Sequence, residues 1–243
     1  MNKKKLEQTL VLIKPDALKN SITGFIFSQL SEFHTGARFA GAKVVNVSRL
    51  LAEEHYAEHR GKPFYESLLD YITGAIHYSE REKWKRRVIA IVYMGPGVIE
   101  TLRSIAGPTN PHEAREEKAG CIRSLGTVVP IKDVGGKVIG SRMDNLVHTS
   151  ASATEAEREI KLWFLPSDIP PLMRGYPTAI CHTHYYYKNG RLYDSYRPDS
   201  VFLLGPGDVA WKTDLEILQS YGHSKKAKAK LNMVIAKYLI NRT

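Results

Sequence analysis

Apolar positions change their spacing several times along the 243-residue chain, and each change marks an element. Residues 9–13, Thr-Leu-Val-Leu-Ile, are a short β-favouring run that Lys14-Pro15 closes. Proline ends a strand and suits the first turn of a helix, where its missing N–H costs nothing. Asp16 follows as an acidic residue able to support that helix start. Ile22, Phe25, Ile26 and Leu30 recur at near-helical spacing and predict a helix over about 17–33. A strand is expected over 38–49, centred on Lys43-Val-Val-Asn-Val, and helices over 51–60 and 65–76. A compact buried strand over 88–93 leads through Gly95-Pro96-Gly97 into a helix over 98–105.

Residues 107–126 differ in character: Gly-Pro-Thr-Asn-Pro, many charges and little apolar periodicity predict a long loop, which inside a domain is usually functional. A hairpin turning at Gly135-Gly136 is expected over 127–140, then a short strand over 145–150. Ser152 with Glu155 three residues later is a capping-box pattern, and Ala156, Ile160 and Trp163 give the next helix its apolar face. The order β-α-β-α-α-β-α-loop-β-α predicts an α/β (α+β) sandwich with a mainly antiparallel sheet. After Phe164 the composition shifts. Pro166, Pro170, Pro171 and Pro177 mark an extended passage, a second hairpin over 178–196 turns at Asn189-Gly190, and helices are expected over 208–221 and 224–241.

Composition bounds the partners. Hydrophobic residues make up 43% and charged residues 25%, ordinary for a globular protein with a core. No run reaches the roughly 18–20 apolar residues that span a bilayer, so no transmembrane segment is expected. The basic residues 1–5 precede no apolar signal region. Cys121 and Cys181 suit free thiols in a reducing compartment, and a cytoplasmic location is expected. The formal net charge is +10, and residues 165–243 contribute 11 basic against 6 acidic side chains. Such a surplus attracts polyanions: nucleotides, nucleic acid or an anionic surface. Lys225, Lys226, Lys228 and Lys230 precede Leu231, Val234, Ile235, Tyr238 and Leu239, giving the tail an apolar face and a basic flank for such a partner. His182 and His184, two apart, are a conceivable metal pair without a convincing third ligand.

Several blocks carry chemistry in a fixed order. They are Leu-Val-Leu-Ile-Lys14-Pro-Asp-Ala, His55-Tyr56, Lys62-Pro-Phe64-Tyr, Arg103, Gly107-Pro-Thr109-Asn-Pro and Ile122-Arg123. Asn145-Leu-Val-His148-Thr-Ser150 and Ala156-Glu-Arg-Glu159-Ile-Lys-Leu-Trp163-Phe complete the set. In this order they resemble the nucleoside diphosphate kinase family over about two thirds of the chain, residues 9–164. The resemblance implies a ferredoxin-like core with a four-stranded sheet and a catalytic unit over 6–164, followed by an extension over 165–243.

It further implies transfer of the γ-phosphate of a nucleoside triphosphate to a diphosphate through a phosphohistidine at His148. Lys14 and Asn145 would lie near the ribose and terminal phosphate. Arg103, Thr109 and Arg123 would lie along the phosphates, with Tyr56 beside the histidine. Glu159 would support the ring, Phe64 would stack on the base, and Ser150 is retained nearby. The residue types suit the task. Phosphoryl transfer is largely positioning and charge neutralisation, arginine forks across phosphate oxygens, and neutral imidazole is available near pH 7. Because every base has a π-face, ATP, GTP, GDP and their deoxy forms are all expected partners. Mg2+ is expected to arrive on the nucleotide phosphates, with no protein ligand. A P-loop, and the paired motifs of protein kinases, are absent from the sequence.

Three departures stand out. Where the family usually has Gly-Ser-Asp-Ser, this chain has Thr149-Ser150-Ala151-Ser152, which loosens the hydrogen bonding expected there. Insertions lie at about 77–87 and 128–141, the second near the nucleotide-binding loop, where it would cap the site or alter subunit contacts. The family forms oligomers, so a homo-oligomer is expected, of a size the insertions leave open. The alternative to an enzyme is a weakened nucleotide- or nucleic-acid-binding module of the same fold, or an assembly protein whose tail does the work.

Overall fold

The computed structural model describes residues 6–221 and 225–240. The basic residues 1–5, and positions 224 and 241 of the expected last helix, lie outside the described residues. In chain order the elements begin with β1 (Leu6–Ile13), α1 (Pro15–Lys19), α2 (Thr23–Gln29), α3 (Glu32–Thr35), β2 (Arg38–Val45), α4 (Arg49–His55) and α5 (Tyr65–Thr73). Then come β3 (Val88–Pro96), α6 (Val98–Ala106), α7 (Pro111–Glu117), β4 (Thr127–Lys132), β5 (Val138–Asp144), β6 (Val147–Thr149) and α8 (Ala153–Trp163). The remainder comprises β7 (Thr178–Ile180), β8 (Tyr185–Lys188), β9 (Arg191–Tyr193), β10 (Val201–Leu204), β11 (Val209–Trp211), α9 (Lys212–Ser220) and α10 (Lys225–Ile235). No helix of the described residues is long and apolar enough to cross a membrane.

The central sheet runs β2-β3-β1-β6 with every pairing antiparallel, as expected of the sandwich. The two inner strands run apolar over Leu10–Ile13 of β1 and Val88–Met94 of β3, where helices cover both faces, whereas the edge strand β2 carries Arg38 and Lys43 and leaves Val44 half exposed. Leu10 and Leu12 face a cluster built with Leu51 and Ala52 of α4, Leu69 of α5, and Ile160 and Trp163 of α8. Val11 and Ile13 face Ile26 of α2 and Val98 and Leu102 of α6. Fully burying each such side chain contributes roughly 1.5–3 kcal/mol.

The expected single helix over 17–33 is three short ones. Ser21 adopts φ 58°, which an α-helix does not accommodate, and Ser31 turns extended to cap α3 by accepting from His34 N. The strand expected over 38–49 stops at Val45, and Ser48 instead caps α4. The long loop at 107–126 contains a helix: Asn110 accepts from His112 N as N-cap, and Pro111 occupies the first turn.

The hairpin expected over 127–140 is present as β4–β5 and reaches further, pairing Thr127 with Asp144. Within residues 77–87 the chain forms a 3-10 segment, Glu80–Lys85. Beyond Phe164, the Asn189-Gly190 turn joins β8 to β9, both residues having positive φ. Strand β7, however, leaves that hairpin and pairs with β11, while β10 takes the free edge of β8.

Several contacts tie the extension to the sandwich. Trp211 is wholly buried in the α4–α5–α8 cluster and donates from Nε1 to the Phe164 carbonyl at 2.7 Å. Gln8 of β1 donates to the Met173 carbonyl and accepts from Gly175 N, at 2.6 and 3.1 Å. Bulged β2 brings Gly41 so near residues 164–169 that a Cβ there would lie 3.0 Å from the Asp168 carbonyl oxygen. A second apolar cluster lies between the β10-β8-β9 sheet and α9 and α10, so the apolar face expected of the last helix is indeed packed.

Candidate active site

Two neighbouring elements begin the site. Lys14 joins β1 to α1, and its backbone N donates to the Leu146 carbonyl at 2.9 Å. That contact needs Leu146 in a left-handed conformation, φ 69°, which Asp16 secures by accepting from Leu146 N at 3.1 Å. Asp16 therefore braces the turn before β6 and makes no side-chain cap on α1. Burial raises the Asp16 pKa, with Lys14 opposing.

The turn delivers Asn145, which accepts from Lys14 Nζ at 2.7 Å and donates to the Thr109 carbonyl at 2.8 Å. The Tyr71 hydroxyl accepts from Asn145 N at 3.1 Å. Burial holds the Lys14 amine down at about 8; Asp16 opposes that shift and Arg123 reinforces it.

Arg123 follows α7 on a 3-10 turn and is 5% exposed. It donates to the Gly107 carbonyl at 2.8 Å and the Val147 carbonyl at 3.4 Å, leaving its buried Nε without a partner among the described residues. Burial, then the neighbouring Arg103, brings its pKa down to about 10. The buried Tyr56 hydroxyl is likewise unpartnered, and burial raises its pKa. Unpaired buried donors are costly, so these two mark where an acceptor belongs.

His148 lies in β6 opposite Leu12. Its Nε2 is 2.9 Å from Glu159 Oε2 on α8, and Ser150 Oγ donates to the same oxygen at 2.6 Å. Ser150 in turn accepts from Leu10 N at 3.1 Å, fixing the chain of bonds to β1. Burial alone would raise the Glu159 pKa; the charge and hydrogen bond of His148, then His55 and Ser150, outweigh it and hold the carboxyl at about 2. An ionised carboxylate can only accept, so the contact calls for a proton on His148 Nε2 and turns Nδ1 away from Glu159.

A cavity of about 390 Å3 collects Lys14, Tyr56, Phe64, Arg103, Thr109, Arg123, Asn145, His148 and Glu159. Every site residue that the resemblance implies lines it except Ser150, which is buried and bonded to Glu159. Ala151 is exposed and donates from its N to Glu155 Oε2 at 3.1 Å. Glu155 thus completes only half of the expected capping box, because Ser152 Oγ does accept from Glu155 N.

Some lining residues had no sequence signal. Ser141, Arg142 and Met143 of β5 form one wall, and Asp144 accepts two hydrogen bonds from Arg142 at 2.5 and 3.0 Å. His55, noted only as part of a motif, packs edge-on against His148 with ring centroids 4.6 Å apart. It is buried and accepts from Trp163 Nε1 at 3.2 Å; burial, then His148, lowers its pKa well below the usual value. His182 and His184 are exposed, lie between β7 and β8, and belong to no cluster of metal-ligand side chains among the described residues. Cys121 and Cys181 are free and buried.

The family model described as nucleoside diphosphate kinase matches residues 7–169. The chain belongs to the nucleoside diphosphate kinase family. It is accordingly a nucleotide-binding transferase, a kinase. It is 38% identical over 164 residues to a nucleoside diphosphate kinase of Pyrococcus furiosus, covering 68% of this chain and 86% of that one. A Brevibacillus brevis relative of the same name is 37% identical, with 68% and 92% covered. Among solved structures, the Aquifex aeolicus nucleoside diphosphate kinase superposes with a TM-score of 0.54 at 26% identity, covering 68% of this chain and all of that one. A nucleoside diphosphate kinase family protein from Babesia bovis gives 0.52 at 29% identity, with 70% and 95% covered.

Proposed function

We propose that this kinase moves the γ-phosphate of a nucleoside triphosphate to a nucleoside diphosphate in two half-reactions, through a phosphohistidine at His148. The observation that carries the reading is the 2.9 Å contact between His148 Nε2 and Glu159. It fixes the proton on Nε2 and leaves the Nδ1 lone pair to attack phosphorus. A P–N bond forms as the bond from phosphorus to the β-phosphate oxygen breaks, and the diphosphate leaves. The ring gains positive charge, which the ionised Glu159 balances without a proton transfer. The acceptor diphosphate then attacks the same phosphorus and restores the imidazole.

Lys14, Arg103 and Arg123 neutralise the polyphosphate, and Tyr56 and Arg123 Nε gain the acceptors they lack. Thr109 and Asn145 orient the phosphates and sugar, while Phe64 faces the base. The retention of the whole set favours an enzyme over a silent binding module. On this reading residues 6–164 form the catalytic unit and 165–243 an extension. Exposed Phe25, Phe27 and Phe33 on α2 and α3 favour a homo-oligomer, which sedimentation of the full chain tests.

The donor set fits a magnesium ion carried by the nucleotide. Among the described residues, the one cluster of metal-ligand side chains is His55, His148 and Glu159, in which histidine supplies two of the three ligands. Magnesium takes oxygens, and this carboxylate is already held by His148 and Ser150. Carried in on the phosphates, the ion would supply charge neutralisation there.

Incubation with γ-labelled ATP and magnesium tests the mechanism. Acid-labile, base-stable label is expected on the protein, absent from His148→Ala and discharged by GDP. Acid-stable label, or label persisting in His148→Ala, overturns it.

A further inference from the structure

The sheet β10-β8-β9 has faces of opposite character. Tyr185, Tyr187, Leu192 and Val201 pack inward on the cluster shared with α9 and α10. Strand alternation sends Phe202, Tyr186 and Tyr193 the other way. The register then sets them in one row across three strands, Phe202 opposite Tyr186 and Tyr186 opposite Tyr193.

The Tyr186 and Phe202 rings lie 5.6 Å apart, and His184 stacks beside Tyr186 with an interplanar angle of 14°. Tyr196 meets Tyr186 edge-on at 6.0 Å. This is not a buried core: Phe202 is 46% exposed and Tyr196 66%. None of these residues lines the cavity that holds His148.

Cations edge the row. The Arg197 guanidinium lies 5.6 Å from the Tyr193 ring centre. Lys188 and Arg191 are register partners, two residues along from Tyr186 and Tyr193 and therefore on the same face. The neighbouring carboxylates are Asp194 and Asp199, the latter 3.6 Å from Lys188. Three basic side chains thus stand against two acidic ones along this stretch, within an extension that is itself basic.

The core of a protein interface is depleted of charge, whereas rings interleaved with Lys and Arg are the pattern that receives stacked bases and their phosphates. Strand spacing places the three rings over about 10 Å, room for two or three bases. We propose that this face binds single-stranded nucleic acid, with bases on Phe202, Tyr186 and Tyr193 and phosphates on Lys188, Arg191 and Arg197. The surface is separate from the catalytic cavity and from the lysines of α10.

Fluorescence anisotropy of labelled dT and rU oligomers of about 12 nucleotides, titrated with the full chain at several salt concentrations, tests this. Tyr186→Ala and Phe202→Ala should each weaken binding about tenfold, while Tyr186→Phe, which keeps the ring, binds like the parent. Lys188→Gln with Arg197→Gln should reduce the slope of log affinity against log salt by about 1.4. Phosphotransfer activity serves as the folding control for every variant. The proposal fails if neither oligomer binds at low salt, or if saturating GDP displaces them. It also fails if Lys225→Gln, Lys226→Gln, Lys228→Gln and Lys230→Gln together abolish binding while Tyr186→Ala leaves it intact. A smaller sedimentation coefficient for Tyr186→Ala/Phe202→Ala would make the face a contact between copies of this chain and overturn the proposal equally.

Discussion

Glu159 receives His148 and Ser150 on a single oxygen, Oε2, so the ring of His148 is oriented by a carboxylate that is itself pinned to β1 through Ser150. Glu159→Gln can offer an N–H where a lone pair is required and permits the wrong tautomer. We expect kcat to fall about 10²-fold, the scale of a misplaced reacting group, with little change in KM, read from steady-state kinetics with GDP as acceptor.

The same carboxyl predicts an acid window. Its folded pKa, about 2, lies below the ordinary glutamate value of 4.5. Such a group contributes stability that is fully present above pH 4.5 and is lost as the pH falls toward 2. Thermal melts across that interval should show a steeper loss for the parent than for Glu159→Gln.

Lys14 gives a window on the alkaline side. Its pKa of about 8 means the nucleotide-free protein begins to lose this charge just above neutrality. A lowered lysine pKa favours the neutral form in the fold, so this group makes stability rise, not fall, between pH 8 and the usual 10.5. Nucleotide binding has the opposite sense: KM for the triphosphate should climb above pH 8, approaching tenfold per pH unit. Lys14→Arg, weaker overall, should flatten that climb because arginine keeps its charge.

The extension contains a buried ion pair, Lys237 Nζ to Asp214 Oδ2 at 2.9 Å, with both residues under a tenth exposed. Lys237→Met strands a carboxylate whose pKa burial already raises. The expected loss is about 3–5 kcal/mol by urea denaturation. Adding Asp214→Leu should recover most of it, since a buried pair replaced by apolar groups is often neutral.

Trp211→Ala opens a void between the extension and α8 and frees the Phe164 carbonyl. A cost of about 3–5 kcal/mol is expected from denaturant midpoints, whereas Trp211→Phe should cost less because most of the packing survives.

The central strands and the set of residues gathered at the cavity were legible because their residue types are distinctive locally. A strand buried on both faces is mostly apolar, and Lys14, Arg103, Arg123, Thr109 and His148 sit in motifs whose order along the chain is recognisable. The helix α7 was also within reach, since Asn110-Pro111 carries both a cap and a first-turn proline, but the density of charge around it concealed the signal. Other features depend on distant parts of the chain. Nothing near Ser21 announces its positive φ, and the three-residue strands β7 and β11 acquire meaning only on pairing. Arg142 and Met143 enter the cavity because Asp144 and the hairpin register aim them there, which no motif records.

Helix α8 holds Glu159 against the imidazole and ends at the carbonyl that receives Trp211. The tail thereby buttresses the helix that orients the His148 ring, and on the proposed mechanism turnover becomes sensitive to side chains, Trp211 first, that lie far from any nucleotide.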